Sequence, residues 1–256
     1  MNEKVGIAGV GALGSIVAKS FPMDGYTLHA VSDLGAPDIG VPNVDFKTLA
    51  EQCDVIVECL PAAAVPALAA EVLSRGKTLI MISACALVLH PEITAMAEGS
   101  EGRILVPSGA LSGLDAVGAL NQNHITESKI ISTKHPKGFQ NAPYVIENNI
   151  DLTTVQGRFM IFSGNVLEAA RAFPANVNVA ASLALAGIGP EKTLVEVWAD
   201  PAATGNSHEI IVTGGGTTIR SKIDNLPDPM NPKSSMQAGY SIVAALKKRK
   251  SNLTQF

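Results

Sequence analysis

Along the first hundred residues, short apolar runs alternate with longer segments in which alanine and leucine recur at helical spacing. The runs at 4–8, 27–32, 54–58, 78–82 and 103–106 are too short for helices and too continuously apolar for a sheet with one wet face. They read as parallel strands covered on both sides. The stretches at 12–21, 61–75 and 90–98 read as crossover helices, with Gly76 where a helix-ending glycine belongs. The pattern predicts an α/β fold with an N-terminal Rossmann-type, doubly wound parallel sheet over residues 1–110.

Beyond residue 110 the pattern changes. Runs rich in β-branched residues at 128–133, 155–162, 193–199, 208–213 and 216–223 are interleaved with helical stretches near 164–172 and 176–187. This predicts a second, α+β domain on a mixed sheet over residues 111–231, expected to be catalytic and to carry the dimer contacts. A last helix, about 232–248, follows Pro229 and Pro232, and the segment 232–256 is expected to pack back on the first domain.

The junction of the first strand and helix carries Gly9, Gly11 and Gly14 in the spacing G-x-G-x-x-G. Gly9 permits a tight turn, Gly11 lets backbone approach a pyrophosphate, and Gly14 lets helix and strand pack closely. The helix start at Ala12 and Leu13 then presents free N–H groups to phosphate. The second strand ends at Asp33, nineteen positions after Gly14, where a carboxylate accepts hydrogen bonds from ribose hydroxyls. No Lys or Arg follows Asp33 until Lys47, so no partner for a 2′-phosphate lies close in sequence. The expected cofactor is therefore NAD, with NADP as the second candidate. Loops at the carboxyl ends of later strands place Cys59, Leu60, Ser83, Ala84 and Ser112 as candidates for cofactor contact and Ser108 for substrate contact. The same loops would also serve as tight connections with no ligand.

Composition narrows the classes. With 46% apolar and 16% charged residues the chain has the makeup of a globular protein. A formal net charge of −4 gives no basic footprint for nucleic acid. Cys53, Cys59 and Cys85 are odd in number and unpaired in spacing, as reduced thiols of a cytoplasmic protein would be. No export signal and no membrane-length apolar run is visible, so a cytoplasmic protein with neither nucleic-acid nor membrane partner is expected. Cys85 reads as a buried thiol rather than a nucleophile, and no metal set is apparent.

Chemistry is sought in the second domain. His29, His90 and His124 read as structural. His135, in the cationic loop Thr133-Lys134-His135-Pro136-Lys137-Gly138, suits either an acidic substrate or a solvated turn. His208 is expected between two strands, emerging at the end of the sheet, where an imidazole exchanges protons while hydride leaves carbon. Asn176 resembles a helix N-cap. Asn178, one turn inside, would need a partner such as a cofactor carboxamide or a substrate carboxylate. Lys233 and Ser234 stand at an expected helix start, an arrangement that can hold an anion or simply cap a surface helix.

Three separated segments, Phe173-Pro174-Ala175-Asn176-Val177-Asn178-Val179-Ala180-Ala181, Asn206-Ser207-His208-Glu209-Ile210 and Asn231-Pro232-Lys233-Ser234-Ser235, occur in this order with the glycine loop and Pro107-Ser108-Gly109-Ala110. Together they resemble the L-aspartate dehydrogenase family over nearly the whole chain. The resemblance implies NAD or NADP as cofactor, His208 as the active-site residue, Asn178 as a cofactor-binding residue, and a homodimer. It further implies that the amine-bearing carbon of L-aspartate gives hydride to the nicotinamide. The iminosuccinate formed hydrolyses to oxaloacetate and ammonia or feeds NAD biosynthesis. His208, Lys137, Lys233 and Ser234 would supply cations and hydroxyls for the substrate carboxylates. Against the family pattern, Ser112 stands where alanine is usual, and Ser83-Ala84-Cys85-Ala86 replaces Ser-Val-Gly-Ala. The loop at 134–140 also departs from an Arg-Lys-Pro-Pro type and bears on which amino or imino acid is accepted. Two other readings stay open: a dihydrodipicolinate-reductase-like or homoserine-dehydrogenase-like enzyme, and a non-catalytic dinucleotide sensor.

Overall fold

The structure, a computed structural model, describes residues 2–226 and 235–254. The chain divides into two compact units, residues 1–109 together with 236–256, and residues 110–235.

The first unit begins with β1 (Glu3–Ala8), α1 (Ala12–Lys19), β2 (Tyr26–Ser32), α2 (Phe46–Gln52), β3 (Val55–Glu58), α3 (Val65–Leu73), β4 (Thr78–Met81), α4 (Cys85–Leu89), α5 (Glu92–Glu98) and β5 (Arg103–Leu105). Its five strands are all parallel, in the order β2-β1-β3-β4-β5. Every residue of β3 and β4 is buried, which is why these strands read as unbroken apolar runs. Strand order reverses at β1, so the crevice beyond the carboxyl ends of β1 and β3 is the switch point where such sheets bind ligands. Two short helices escape the sequence pattern. In α2 the Asp45 side chain accepts from the Thr48 N–H and caps the start. The five-residue α4 occupies what the pattern left as loop, and the stretch expected at 90–98 begins only at Glu92, behind Pro91.

The second unit holds α6 (Leu114–Asn121), β6 (Ile125–Lys134), α7 (Pro143–Glu147), β7 (Phe159–Asn165), α8 (Val166–Ala172), α9 (Asn178–Ala186), β8 (Leu194–Ala199), β9 (Asn206–Gly214) and β10 (Thr217–Asn225). The strand order is β10-β9-β6-β8-β7, with β6 and β8 parallel and the other pairs antiparallel, a mixed sheet. Alternation divides its two faces. Ser128, Ile130 and Ser132 of β6 lie opposite Val212, Ile210 and His208 of β9, and all six are buried on the face that α6, α8 and α9 cover. Lys129, Ile131 and Thr133 point the other way and stay half-buried. β7 sits later than the expected 155–162, since Gln156 and Gly157 break the run. It ends where Asn165 and Glu168 form a reciprocal cap for α8. An aromatic cluster of Phe139, Tyr144, Phe162 and Phe173, ring centroids 5.3 to 6.1 Å apart and mostly edge-on, fastens the segment after β6 to the end of α8.

The chain then returns to the first unit as α10 (Met236–Lys250), which packs on α1. The Tyr26 hydroxyl donates to the Leu246 carbonyl at 3.0 Å, and Arg249 pairs with Glu3. Among the described residues no helix is long and apolar enough to cross a membrane.

Candidate active site

In the first unit the glycine loop has two tasks, and different glycines perform them. Gly9 takes φ +85°, a left-handed conformation that disfavours side chains, and a Cβ there would lie 2.5 Å from the Cys59 carbonyl oxygen. A Cβ on Gly14 would lie 2.0 Å from the Gly9 carbonyl oxygen. These two glycines are demanded by packing. Gly11 is different: a Cβ there meets nothing within 4 Å, so the space above the loop is open. Gly11 precedes α1 with no side-chain cap, and the N–H groups of Ala12, Leu13 and Gly14 have no helical carbonyl to bond. Beside them, Asp33 Oδ2 accepts from the Val10 N–H at 2.7 Å and Oδ1 from the Gly35 N–H at 2.7 Å. Each oxygen keeps room for a further donor. The open cradle with unspent N–H groups and the adjacent carboxylate fit the pyrophosphate and ribose of a dinucleotide.

The loops after β3 and β4 are organised around a buried acid. Glu58 is fully buried, and its carboxyl accepts from the Leu60 N–H at 2.5 Å and the Ser83 N–H at 3.1 Å. Burial pushes its pKa up to about 7, against the pull of those donors. The Ser83 hydroxyl lies 2.9 Å from Glu58 Oε1 and 2.7 Å from the Leu60 carbonyl oxygen, two acceptors for one proton. A proton on Glu58 satisfies both. The Ser83 hydroxyl is thus spent within the unit and Ala84 is fully buried, which leaves backbone as what this loop can offer a cofactor. Cys59 and Leu60 are half-buried at the end of β3, and Ser108 is exposed after β5. Cys85 is buried and its thiol is pushed up to about 12, which removes it as a nucleophile. Among the described residues no cluster suits a metal ion.

The second unit contains a cavity of about 670 Å³ lined by Lys134, Lys137, Asn141, Phe173, Asn176 and Asn206 among others. Lys134 ends β6 and Asn206 begins β9, so these two neighbouring strands run into its floor. Two residues inward on each strand, on the same face, stand Ser132 and His208. The Ser132 hydroxyl and His208 Nδ1 are 2.9 Å apart. His208 is only 4% exposed, and burial, with the Lys134 charge as a second cause, holds its pKa down to about 3. Both causes favour the neutral imidazole. Lys134 Nζ donates to Asn176 Oδ1 at 3.0 Å, and burial lowers its pKa to about 8.

Several expected placements change. His208 lies inside β9 rather than in a loop at the sheet end. Asn176 is not an N-cap: α9 starts at Asn178 behind Val177, with no side-chain cap bond, and Asn176 holds Lys134 instead. Asn178 is half-buried at the first position of α9. Ser112 Oγ lies 2.5 Å from Ser221 Oγ on β10. Lys137 is exposed at the cavity rim. Lys233 and Ser234 lie outside the described residues. Lys134 and Asn206 line the cavity without having been named as candidates from the sequence. A period-2 reading would have found Lys134, since it is in phase with Ile130 and Ser132.

Comparison with known proteins agrees with this geometry. The family profile described as "Aspartate dehydrogenase, C-terminal" matches residues 115–249. L-aspartate dehydrogenase 3 of Bordetella bronchiseptica is 39% identical over 259 residues, covering 95% of this chain and 94% of the relative. The L-aspartate dehydrogenase of Methanococcoides burtonii is 36% identical, covering 96% of each. The crystal structure of aspartate dehydrogenase from Thermotoga maritima superposes with a TM-score of 0.82 at 26% identity, over 100% of both chains.

Proposed function

The chain belongs to the aspartate dehydrogenase family and is an amino-acid oxidoreductase that uses a nicotinamide dinucleotide; from that premise we propose how its residues divide the reaction L-aspartate to iminosuccinate. The cavity of the second unit carries the reading: its lining brings Lys134, His135 and Lys137 and, among the described residues, no carboxylate, with the buried His208 two residues along β9 from the lining residue Asn206. Such a pocket suits a substrate with two carboxylates.

Gly9, Gly11, Ala12, Leu13, Gly14 and Asp33 hold the dinucleotide, with Cys59, Leu60, Ser112 and Asn178 as further contacts. The bound nicotinamide supplies the two-electron acceptor. His208 takes the proton that the substrate amine loses as hydride leaves Cα, and Ser132 fixes the ring through Nδ1. Lys137 and Ser108 meet the substrate's polar groups. NAD is the preferred cofactor, on the strength of the Asp33 carboxylate and the lack of a Lys or Arg between it and Lys47. Three free thiols suit the cytoplasm. A homodimer is supported by the half-buried face of the mixed sheet carrying Ile131, Trp198 and Ile211, and light scattering on the purified protein tests it.

The reaction is tested in the reductive direction by following reduced cofactor with oxaloacetate plus ammonia, for NADH and NADPH. Turnover is expected, faster with NADH, and His208→Ala is expected to cut it by about 10²-fold or more. Unimpaired turnover in the variant removes His208 from this role.

A further inference from the structure

Lys134 is the least explained group of the second unit. Its ammonium has three protons to donate, yet Asn176 Oδ1 is its one hydrogen-bond acceptor among the described residues. No carboxylate among them forms an ion pair with it, although Lys129, five residues earlier on the same strand and on its other face, is paired with Glu196 at 2.5 Å. Keeping a cation partly buried with only a neutral partner is unfavourable unless an anion arrives from outside. Among the described residues the cavity lining holds no carboxylate, and Asp200, whose N–H donates to the Lys134 carbonyl at 2.9 Å, accepts with its own carboxylate from the Ala202 N–H at 2.8 Å. From the turn after β6 come His135 and Lys137, and the other polar lining residues, Asn141, Asn176, Thr204 and Asn206, are neutral.

We propose that Lys134, aimed by Asn176, is the inner anchor of the cavity and receives one carboxylate of the dicarboxylic substrate. The inference rests on the aspartate reading for the identity of that substrate, but the anchor itself needs only a carboxylate. Asn176 is here a positioning residue: by accepting one ammonium proton it sets the direction of the other two. Seating the carboxylate has a second consequence. The Lys134 charge is one of the two causes that hold His208 unprotonated, and pairing it removes that repulsion. The substrate thereby strengthens the base that will take its proton.

The test is calorimetric titration of the full chain, with NAD present, with succinate, a dicarboxylate that lacks the amine and cannot react. The wild type is expected to bind succinate. Lys134→Met is expected to weaken that binding about 30-fold or more, the scale for truncating one member of a desolvated charge pair. Lys134→Arg, which keeps the cation, is expected to stay within about tenfold of wild type, and NAD affinity within about twofold in both variants shows that they are folded. Succinate affinity unchanged in Lys134→Met, or no succinate binding by the wild type, overturns the proposal. If succinate binding is lost in Lys134→Met while the wild type leaves L-aspartate untouched, the anchor stands and the aspartate reading falls.

Discussion

On the proposed reading both units hold negative charge, and they do so by opposite means. The first offers a pyrophosphate backbone donors: no Lys or Arg stands between Gly9 and Gly14, and on the proposed reading attraction comes from helix N–H groups left open by the absence of a side chain at Gly11. The second offers carboxylates, on the proposed reading, the side chains of Lys134 and Lys137, gathered from a strand end and the turn that follows it. Backbone donors are fixed, carry no net charge and leave room for a large ligand. Ammonium groups on a cavity floor discriminate by charge and can pass an electrostatic change to a neighbour, here His208.

The contrast can be broken from either side. The largest effect is expected at Gly14→Ala, whose Cβ would lie 2.0 Å from the Gly9 carbonyl oxygen. Cofactor affinity, measured by calorimetry, should fall by about 10²-fold or more and the melting temperature should fall with it. Gly11→Ala should instead leave the melting temperature unchanged and weaken the cofactor alone, because its Cβ fills open space. On the other side, His208→Ala should cost about 10²-fold in kcat while NADH affinity stays at the wild-type value. Shared losses of cofactor binding and turnover in every variant would show that the two tasks are not separable. A smaller effect, about tenfold in NAD affinity, is expected for Asp33→Asn, which removes the charge from a ribose acceptor already engaged with Val10 and Gly35.

The smallest effect is a pH slope. Glu58 is raised from 4.5 to about 7 in the folded chain, so between these values the native state holds the proton that the unfolded chain has released. Its contribution to stability is full below pH 4.5 and is lost as pH rises through 7. The melting temperature should therefore decline by a few degrees more between pH 5 and 8 in the wild type than in Glu58→Gln. Parallel slopes in the two proteins would mean that Glu58 keeps an ordinary pKa.

The same contrast explains what could be read from the sequence. The parallel sheet and the glycine loop were legible because every residue involved is local: continuous apolar runs, and three glycines with a carboxylate at fixed spacing. The mixed sheet was legible as a set of strands, but not its pairing, since β6 lies between β9 and β8, which follow it by sixty residues or more. Lys134 sat in a cationic loop that suited an acidic substrate or a solvated turn equally, and only the cavity walls contributed by Phe173 and Asn176 distinguish the two. Asn176 itself looked like a helix cap because its side-chain chemistry suits that role equally well. The helices α2, α4 and α7, of seven residues or fewer, are too short to show a period.

The proposed chemistry requires that the hydride come from Cα of L-aspartate. Incubating the protein with NAD and L-aspartate deuterated at Cα, and weighing the reduced cofactor by mass spectrometry, measures this directly. One deuterium per molecule of reduced cofactor is the expected result. Reduced cofactor without the label, or no reduction at all, would contradict it.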